Sequence, residues 1–157
     1  MATRSSISIR NADGSYTGIY CHFDGYLTNN GRKLREHYTN EDKIRELMAL
    51  GDISVLGEEI GEQHPFDGPC MFSDPKAYNA YKAKFGSWCK AYGRDRGEPD
   101  CEARTHPTLE ALMDQIEQEY DYLWDGEQWV VRFYTTDTRF VPLEEALALE
   151  EAEEGEE

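Results

Sequence analysis

Hydrophobic and polar residues alternate in two stretches near the start of the chain, residues 6–10 and residues 16–23. The turn-forming segment Asn-Ala-Asp-Gly lies between them, so the pattern predicts a β-hairpin. The second strand is expected to turn three residues toward the core, namely Ile19, Cys21 and Phe23. The residues between them, Tyr20 and His22, are then expected on the opposite face of the sheet.

Apolar residues spaced three and four apart predict helices in the next part of the chain. Leu34 and Tyr38 share one helical stripe, and Thr39 is expected to cap a second helix that ends at Gly51. Asp52 is expected to cap a further turn or two that runs through residue 60. Residues 61–74 contain two prolines and two glycines and are typical of an irregular loop.

The second half of the chain returns to mixed patterns. It predicts an exposed helix over residues 75–85, a strand over 87–92, a charged loop over 93–104, a helix capped by Thr108, a second hairpin over 120–134 and a last helix opened by Pro142. Two hairpins and a middle strand predict an α+β fold with an antiparallel sheet and helices packed mainly on one face. We expect a single domain over residues 1–146 and an acidic tail over residues 147–157.

The formal net charge of −16 is unevenly distributed along the chain. Residues 144–157 hold eight glutamates and no basic residue, and residues 105–131 also lack Lys and Arg. Four acids of the second region are predicted to form an acidic face: Glu110, Asp114, Glu117 and Asp121. Direct binding to nucleic acid is disfavoured, because phosphate groups require a basic surface. The acidic surface either mimics nucleic acid and binds the basic cleft of a partner, or it only keeps the protein soluble.

The cellular location is predicted from the hydropathy pattern and the cysteines. No apolar run approaches the roughly 20 residues of a membrane span, and the first residues lack the apolar stretch of a signal peptide. The four cysteines are scattered without a C-x-x-C pair, which favours reduced thiols. We therefore expect a soluble, cytoplasmic protein without a metal or other cofactor and without contact with a membrane.

Two glycine-centred segments carry most of the candidate chemistry: residues 20–26, Tyr-Cys-His-Phe-Asp-Gly-Tyr, and residues 92–98, Tyr-Gly-Arg-Asp-Arg-Gly-Glu. Both are expected at strand ends, where proteins often place recognition residues. The binding candidates are Tyr20, His22, Asp24, Tyr26, His37, Tyr92, Arg94, Asp95, Arg96 and Glu98. We predict that the two segments are neighbours in space, with Asp24 within side-chain reach of Arg94 or Arg96, so that the arginines could bind a phosphate or carboxylate there. The alternative is that the arginines only form internal ion pairs, for example with Asp24 or Glu98.

Catalytic interpretations are less favoured. His22 and Asp24 lie two residues apart on one strand and could form a His-carboxylate pair, but no nucleophile motif accompanies them. The tripeptides His-Tyr-Thr at residues 37–39 and His-Pro-Thr at 106–108 match the paired H-x-T elements of two-histidine phosphoesterases. In that family these motifs lie in apolar strands, whereas here both threonines are expected to cap helices. The protein is more simply interpreted as a binding protein than as an enzyme.

Several segments together resemble a group of small phage and prophage proteins of unknown function. They are Thr3-Arg4-Ser5, residues 20–26, Leu34-x-x-His37-Tyr38, residues 49–57, His64-x-Phe66-Asp67 and residues 92–98. The resemblance spans about residues 3–143. It implies a phage accessory protein that acts in the cytoplasm of an infected or lysogenic bacterium, and it brings no reaction with it.

The sequence therefore predicts a phage-derived accessory protein that binds and modulates a host bacterial protein. The partner would be a defence or nucleic-acid-handling protein, contacted through acidic faces and through the aromatic and arginine-bearing loops. One alternative is a binder or hydrolase of a small molecule or nucleotide, with its site at His22, Asp24, Arg94 and Arg96. A virion or morphogenesis component is a second alternative, and the oligomeric state stays open.

Overall fold

The computed structural model describes residues 3–133, 136 and 139–155, with side chains up to residue 152. Within these ranges the strands are β1 Ser5–Arg10, β2 Tyr16–Cys21, β3 Ile53–Val55, β4 Lys90–Ala91, β5 Arg104–His106, β6 Tyr120–Trp124, β7 Trp129–Phe133 and β8 Val141–Pro142. The helices are α1 Arg32–His37, α2 Glu41–Leu50, α3 Pro75–Phe85, α4 Tyr92–Arg96, α5 Leu109–Ile116 and α6 Leu143–Gly155. A π-helical turn, Leu27–Gly31, precedes α1.

The described strands form one mixed sheet in the order β4-β3-β2-β1-β6-β7-β8, with β5 paired to β2. Both predicted hairpins are present, β1 with β2 and β6 with β7. Residue 134, the predicted end of the second hairpin, lies outside the described residues. The hairpins join through β1 and β6, which run parallel, and β2 and β3 are also parallel. The α+β prediction is confirmed, and most strand pairs are antiparallel.

The main core lies between one face of the sheet and the helices α1, α2 and α6. It is built from alternate residues of the first hairpin and from helix stripes, including Ile7, Ile19, Leu34, Leu47 and Leu147. Helix α5 packs on the opposite face through Leu112, Met113 and Ile116, which form a smaller cluster. Three of the six described helices thus cover one face, and α5 covers part of the other.

Gly18 in β2 explains how α5 approaches the sheet so closely. A Cβ atom at this position would lie 2.5 Å from Ile116 Cδ1 and 2.5 Å from Ser8 Oγ. Because a side chain at residue 18 would occupy the space that Ile116 fills, glycine permits the close packing of α5. Tyr20 lies on the same face but farther along the strand and is only partly buried.

Several local predictions are wrong in detail. The segment after Asp52 forms strand β3 instead of a helical turn, and Asn40 caps α2 instead of Thr39. The middle strand is confined to β4, and the segment predicted as a charged loop begins with the short helix α4. Phe23 is 41% exposed, because β2 ends at Cys21 and Asp24 then adopts a left-handed backbone with φ of 56°.

The acidic tail is expected to begin at residue 147, and the structure places that residue within helix α6. Helix α6 continues to Gly155, and Leu147 is fully buried in the main core. Leu149 is 70% exposed, so the apolar contacts that the structure describes on α6 end with Leu147. Residues 156–157 of the predicted tail lie outside the described residues.

Candidate functional site

The two glycine-centred segments lie on either side of strand β3. The backbone N–H of His22 donates to Ile53 O at 3.1 Å, and that of Phe23 donates to Ser54 O at 2.9 Å. On the other side of β3, the N–H of Tyr92 donates to Asp52 O at 3.2 Å. The prediction that the segments are close in space is therefore correct, and a single strand separates them.

Asp52 ties this region together. Its carboxylate accepts a hydrogen bond from Tyr20 N–H at 2.9 Å and two from Arg104, at 2.9 and 3.2 Å. The preceding residue, Gly51, has φ of 75°, and a Cβ atom there would lie 2.2 Å from Cys101 O. Only glycine fits that contact. Gly51 ends α2, and the chain then passes through Asp52 directly into β3. Hydrogen bonds of Asp52 thus join β2 and Arg104 to the start of β3.

Arg94 and Asp95 cap the edge of the sheet. Strand β4 is an edge strand, and its outward N–H and C=O groups need partners. Ala91 N–H donates to Asp95 Oδ2 at 2.8 Å, and Arg94 Nη2 donates to Cys89 O at 2.8 Å. Arg94 also donates to Asp95 and to Ile60 O. Both side chains are predicted binding candidates, and in the structure their polar groups are used for these internal contacts.

His64 is attached to the same cap. Its backbone N–H donates to Asp95 Oδ1 at 3.2 Å, and its ring Nδ1 lies 3.5 Å from that oxygen. The ring is buried between Phe85 and Trp88, at centroid distances of 5.0 and 5.5 Å. Through these contacts Asp95 fixes the loop after β3, and Phe85 fixes α3.

Tyr20 and His22 form a pair on the α5 face of the sheet. The Tyr20 hydroxyl and His22 Nδ1 are 2.6 Å apart and share a hydrogen bond. Burial raises the pKa of Tyr20, and the nearby Arg4 guanidinium partly opposes that increase. The expected His22–Asp24 pair is not formed among the described contacts, because Asp24 lies in the left-handed turn and is exposed.

The predicted ion pair of Asp24 with Arg94 or Arg96 is also wrong for the described part of the chain. Arg94 pairs with Asp95, and Arg96 Nη2 donates to both carboxylate oxygens of Glu98 at 2.9 Å. Both partners are close in sequence, so these pairs form within α4 and the turn that follows it.

Arg96 is part of a row of alternating rings and cations, which we call the aromatic–cation ladder. Its members are Tyr81, Lys90, Phe66, Arg96 and Tyr92. Lys90 Nζ lies 5.7 Å from the Tyr81 ring and 5.4 Å from the Phe66 ring. Arg96 Cζ lies 4.7 Å from the Phe66 ring and 4.8 Å from the Tyr92 ring. Cation–π attraction holds these side chains in order along the β4 edge of the sheet.

Sequence reasoning missed Tyr81, Lys90 and Phe66, which come from three separate segments. The sequence feature that could have pointed to this region is the cluster of basic residues between 75 and 96, which contrasts with the acidity of the rest of the chain. The strand alternation that singled out Tyr20 and His22 does not extend to them.

The predicted acidic face is only partly a surface. Glu110 and Asp114 are exposed on α5, and Glu117 accepts a hydrogen bond from Arg132 at 2.7 Å. Asp121 is buried and accepts a hydrogen bond from the Ser6 hydroxyl at 2.6 Å, so its assignment to this face is wrong. Arg132 follows directly after the stretch without bases and folds back onto it. A groove of about 390 Å³ lies between α5, Arg132 and Phe140.

The other candidates lie elsewhere. His37 ends α1 with its Nε2 3.9 Å from Glu58 Oε1, and Tyr26 is exposed before the π-helical turn. Thr108 caps α5 as expected, through a hydrogen bond from Ala111 N–H. Its hydroxyl therefore serves the helix, whereas Thr39, the threonine of the other H-x-T match, does not cap α2.

Two cysteines are enclosed in the core. Burial raises the pKa of Cys21 to about 11, and it also raises the pKa of Cys89, whose Sγ lies 3.3 Å from the Tyr38 hydroxyl. Among the described residues, no three His, Cys, Asp or Glu side chains gather in a way that could hold a metal ion. Across the same residues, every helix is too short or too polar to span a bilayer.

Comparisons with protein-family models, with curated proteins and with solved structures found no match. The function must therefore be argued from the site itself.

Proposed function

We propose that this protein is a phage-derived accessory protein that binds a host bacterial protein, with the aromatic–cation ladder as its main contact surface. The observation that carries the proposal is the ladder itself, which places aromatic rings and cations side by side at the edge of the sheet. Aromatic residues and arginine are the side chains that most often dominate binding at protein interfaces. Phage origin follows from the sequence resemblance and is part of the proposal.

The hydrogen bonds that hold the ladder residues in place support a role in recognition. Tyr92 is held through Asp52, and α4 is held through Arg94 and Asp95, whose side chains are 18% and 0% exposed. Contact residues that are already ordered lose little conformational entropy on binding, which raises the affinity per contact. The buried groups of the Tyr-Gly-Arg-Asp-Arg-Gly-Glu segment thus position its surface groups.

The internal use of Arg94 and Asp95 argues against a nucleotide site at the same place. A phosphate would need the donors of Arg94, and these already bind Cys89 O, Ile60 O and Asp95. The other arginine of the segment, Arg96, is exposed, pairs with Glu98 and lies over two rings instead of inside a cleft. A wide, shallow contact with a protein fits this arrangement better.

The test is affinity capture from a bacterial lysate with the tagged full chain, followed by quantitative mass spectrometry. We expect one host protein to be enriched by the wild type and lost with Tyr92→Ala/Arg96→Ala. The matched control is Glu110→Gln/Asp114→Asn, on the exposed face of α5, which should retain the partner. Equal capture by the wild type and the ladder variant would overturn the proposal, and so would the absence of any enriched protein.

One observation favours the small-molecule alternative, namely the Tyr20–His22 hydrogen bond beside Arg4. These groups could hold an anionic ligand at the neighbouring part of the sheet. A thermal-shift screen with nucleotides, repeated with Tyr20→Phe and His22→Gln, separates the two functions. Stabilisation by a nucleotide that both variants abolish would favour the ligand-binding alternative.

A further inference from the structure

The charge of the molecule is polarised. Residues 75–96 contain six of the 16 Lys and Arg residues of the chain and only one of its 32 Asp and Glu residues. That one acid, Asp95, has a fully buried side chain paired with Arg94. The outward-facing charges within this segment, which we call the basic edge, are therefore positive, in a protein whose formal net charge is −16, and Arg96 among them is paired with Glu98 just beyond the segment.

The basic edge is well exposed. Helix α3 contains no buried residue, and its lysines Lys76, Lys82 and Lys84 are exposed. The helix is attached through Tyr81, whose hydroxyl donates to Pro65 O, and through Phe85, which stacks on His64. These two contacts join α3 to the aromatic–cation ladder, so the lysines extend the same surface.

An apolar group borders the basic edge. Phe72 is 88% exposed and lies three residues before α3, next to Met71, which is 48% exposed. A large exposed apolar side chain beside a charged surface is typical of an interaction site. The surface thus offers cations together with an apolar contact.

We infer that the host partner meets the basic edge with an acidic surface, in which Asp or Glu side chains surround an apolar residue. The inference rests on the proposed function and names the chemistry of its partner. It is argued from charge complementarity: the basic edge attracts carboxylates, while the acidic remainder of the molecule repels them. An acidic partner therefore approaches in one orientation, with this edge first.

A protein partner fits the surface better than a nucleic acid. Stacking of bases requires open ring faces, but Lys90 and Arg96 already lie over the rings of the ladder. A nucleic acid also carries a phosphate at every nucleotide, and the −16 charge of the molecule would repel the phosphates beyond the edge. A few carboxylates on a folded partner face less repulsion.

The experiment compares two double variants that change the net charge equally. Lys82→Glu/Lys84→Glu reverses the charge on the basic edge, and Arg10→Glu/Arg45→Glu does the same on β1 and α2. The probe is a fluorescein-labelled peptide of Glu, Asp and Phe, read by fluorescence anisotropy. A peptide with Gln and Asn in place of the acids and a single-stranded oligo-dT serve for comparison. Both variants are also tested in the lysate capture.

We expect the wild type to bind the acidic peptide about tenfold or more tightly than the amide peptide. The α3 variant should lose this preference and the captured partner, and the control variant should keep both. The inference is overturned if the two variants behave alike, if the acidic peptide does not bind, or if oligo-dT binds more tightly.

Sedimentation of the purified chain at increasing concentration tests whether a second copy of the chain, instead of a host protein, binds the basic edge. A dimer that dissociates in Lys82→Glu/Lys84→Glu would mean that a second copy covers the edge, and it would overturn the inference of a host partner. If capture is lost with Tyr92→Ala/Arg96→Ala but survives in the α3 variant, the proposed function stands, and the inference that the partner binds through an acidic surface is overturned. If no protein is captured at all, the proposed function fails, and the peptide titration still measures the chemistry of the edge.

Discussion

Asp95 shows how one residue supports the candidate site without contacting a partner. Its buried carboxylate accepts hydrogen bonds from His64 N–H, from Ala91 N–H and from Nε and Nη2 of Arg94. The loop after β3, the edge strand and α4 therefore share one acceptor group. Loss of that charge would leave Arg94 without its counter-ion in a mostly buried position.

We expect Asp95→Asn to lower the free energy of unfolding by about 3 kcal/mol, because it breaks a buried ion pair. Glu98→Gln removes the exposed partner of Arg96 and should cost less than about 1 kcal/mol. Urea denaturation followed by circular dichroism measures both. Equal, small losses would show that Asp95 does not organise the edge.

Asp121 predicts a pH dependence of stability. Burial raises its pKa above the ordinary 3.8, against the opposing effects of Ser6, Gln118 N–H and Arg132. Between the unfolded-state and folded-state pKa values of Asp121, the folded state binds more protons than the unfolded state. Stability therefore falls as the pH rises through that range and increases as the pH falls. The wild type should therefore gain stability relative to Asp121→Asn as the pH is lowered toward the ordinary carboxyl pKa of 3.8.

Urea denaturation at each pH measures this difference, and the exposed Asp114→Asn provides the control. A stability difference between wild type and Asp121→Asn that does not change with pH would contradict the prediction.

At the scale of elements, α6 combines a core-facing side with an acidic outer side. Leu143 and Leu147 are buried, one turn apart, whereas Leu149 lies on the outer side among glutamates. The helix thus completes the main core under α1 and β7 and also carries negative charge. Its residue pattern alone does not show which leucine is buried.

Leu147→Ala should lower the free energy of unfolding by about 2–5 kcal/mol, because it leaves a cavity in the core. Leu149→Ala removes the same atoms from an exposed position and should change stability by less than about 0.5 kcal/mol. Thermal and urea unfolding of both variants make the comparison. Similar effects at the two positions would show that α6 does not dock as described.

The packing of α5 on β2 depends on Gly18. Gly18→Ala should destabilise the protein by about 1–3 kcal/mol through overpacking against Ile116. Gly93→Ala, where the nearest atom to an added Cβ is 3.8 Å away, is the control and should have little effect. In the double variant Gly18→Ala/Ile116→Val, loss of Cδ1 makes room for the new methyl group. The cost should therefore be less than the sum of the single costs, and strict additivity would contradict the model of contact.

At the scale of the whole molecule, charge separates along the sheet. The basic edge lies beside β4, and the glutamates of α6 accompany β7 and β8 at the other end of the strand order. The excess of negative charge remains large, so the folded chain repels itself.

Added NaCl up to about 0.5 M should therefore raise the melting temperature, because the Debye length shortens and the repulsion between acidic residues is screened. Differential scanning calorimetry over a salt series measures the effect, and glucose at equal osmolality controls for solute effects. A melting temperature that falls with salt would mean that the ion pairs outweigh the repulsion.

The sequence by itself determined the elements whose causes are local. Alternation defined both hairpins, the cap Thr108 marks the start of α5, and the lack of an apolar stripe predicted that α3 is exposed. These features depend on neighbours within a few residues, which a single sequence displays. The predicted proximity of the two glycine-centred segments also followed from the strand ends.

Only the tertiary structure decided the pairings between distant segments. The parallel pair of β1 and β6 joins residues more than 100 positions apart in sequence, and Asp121 is buried only because Ser6 and Arg132 meet it there. Likewise, Arg94 and Asp95 cap an edge that exists only once β3 and β4 pair, and the ladder draws its rings from three segments. Such contacts depend on which distant segments pack together in the folded chain, and the local pattern of polar and apolar residues does not specify that.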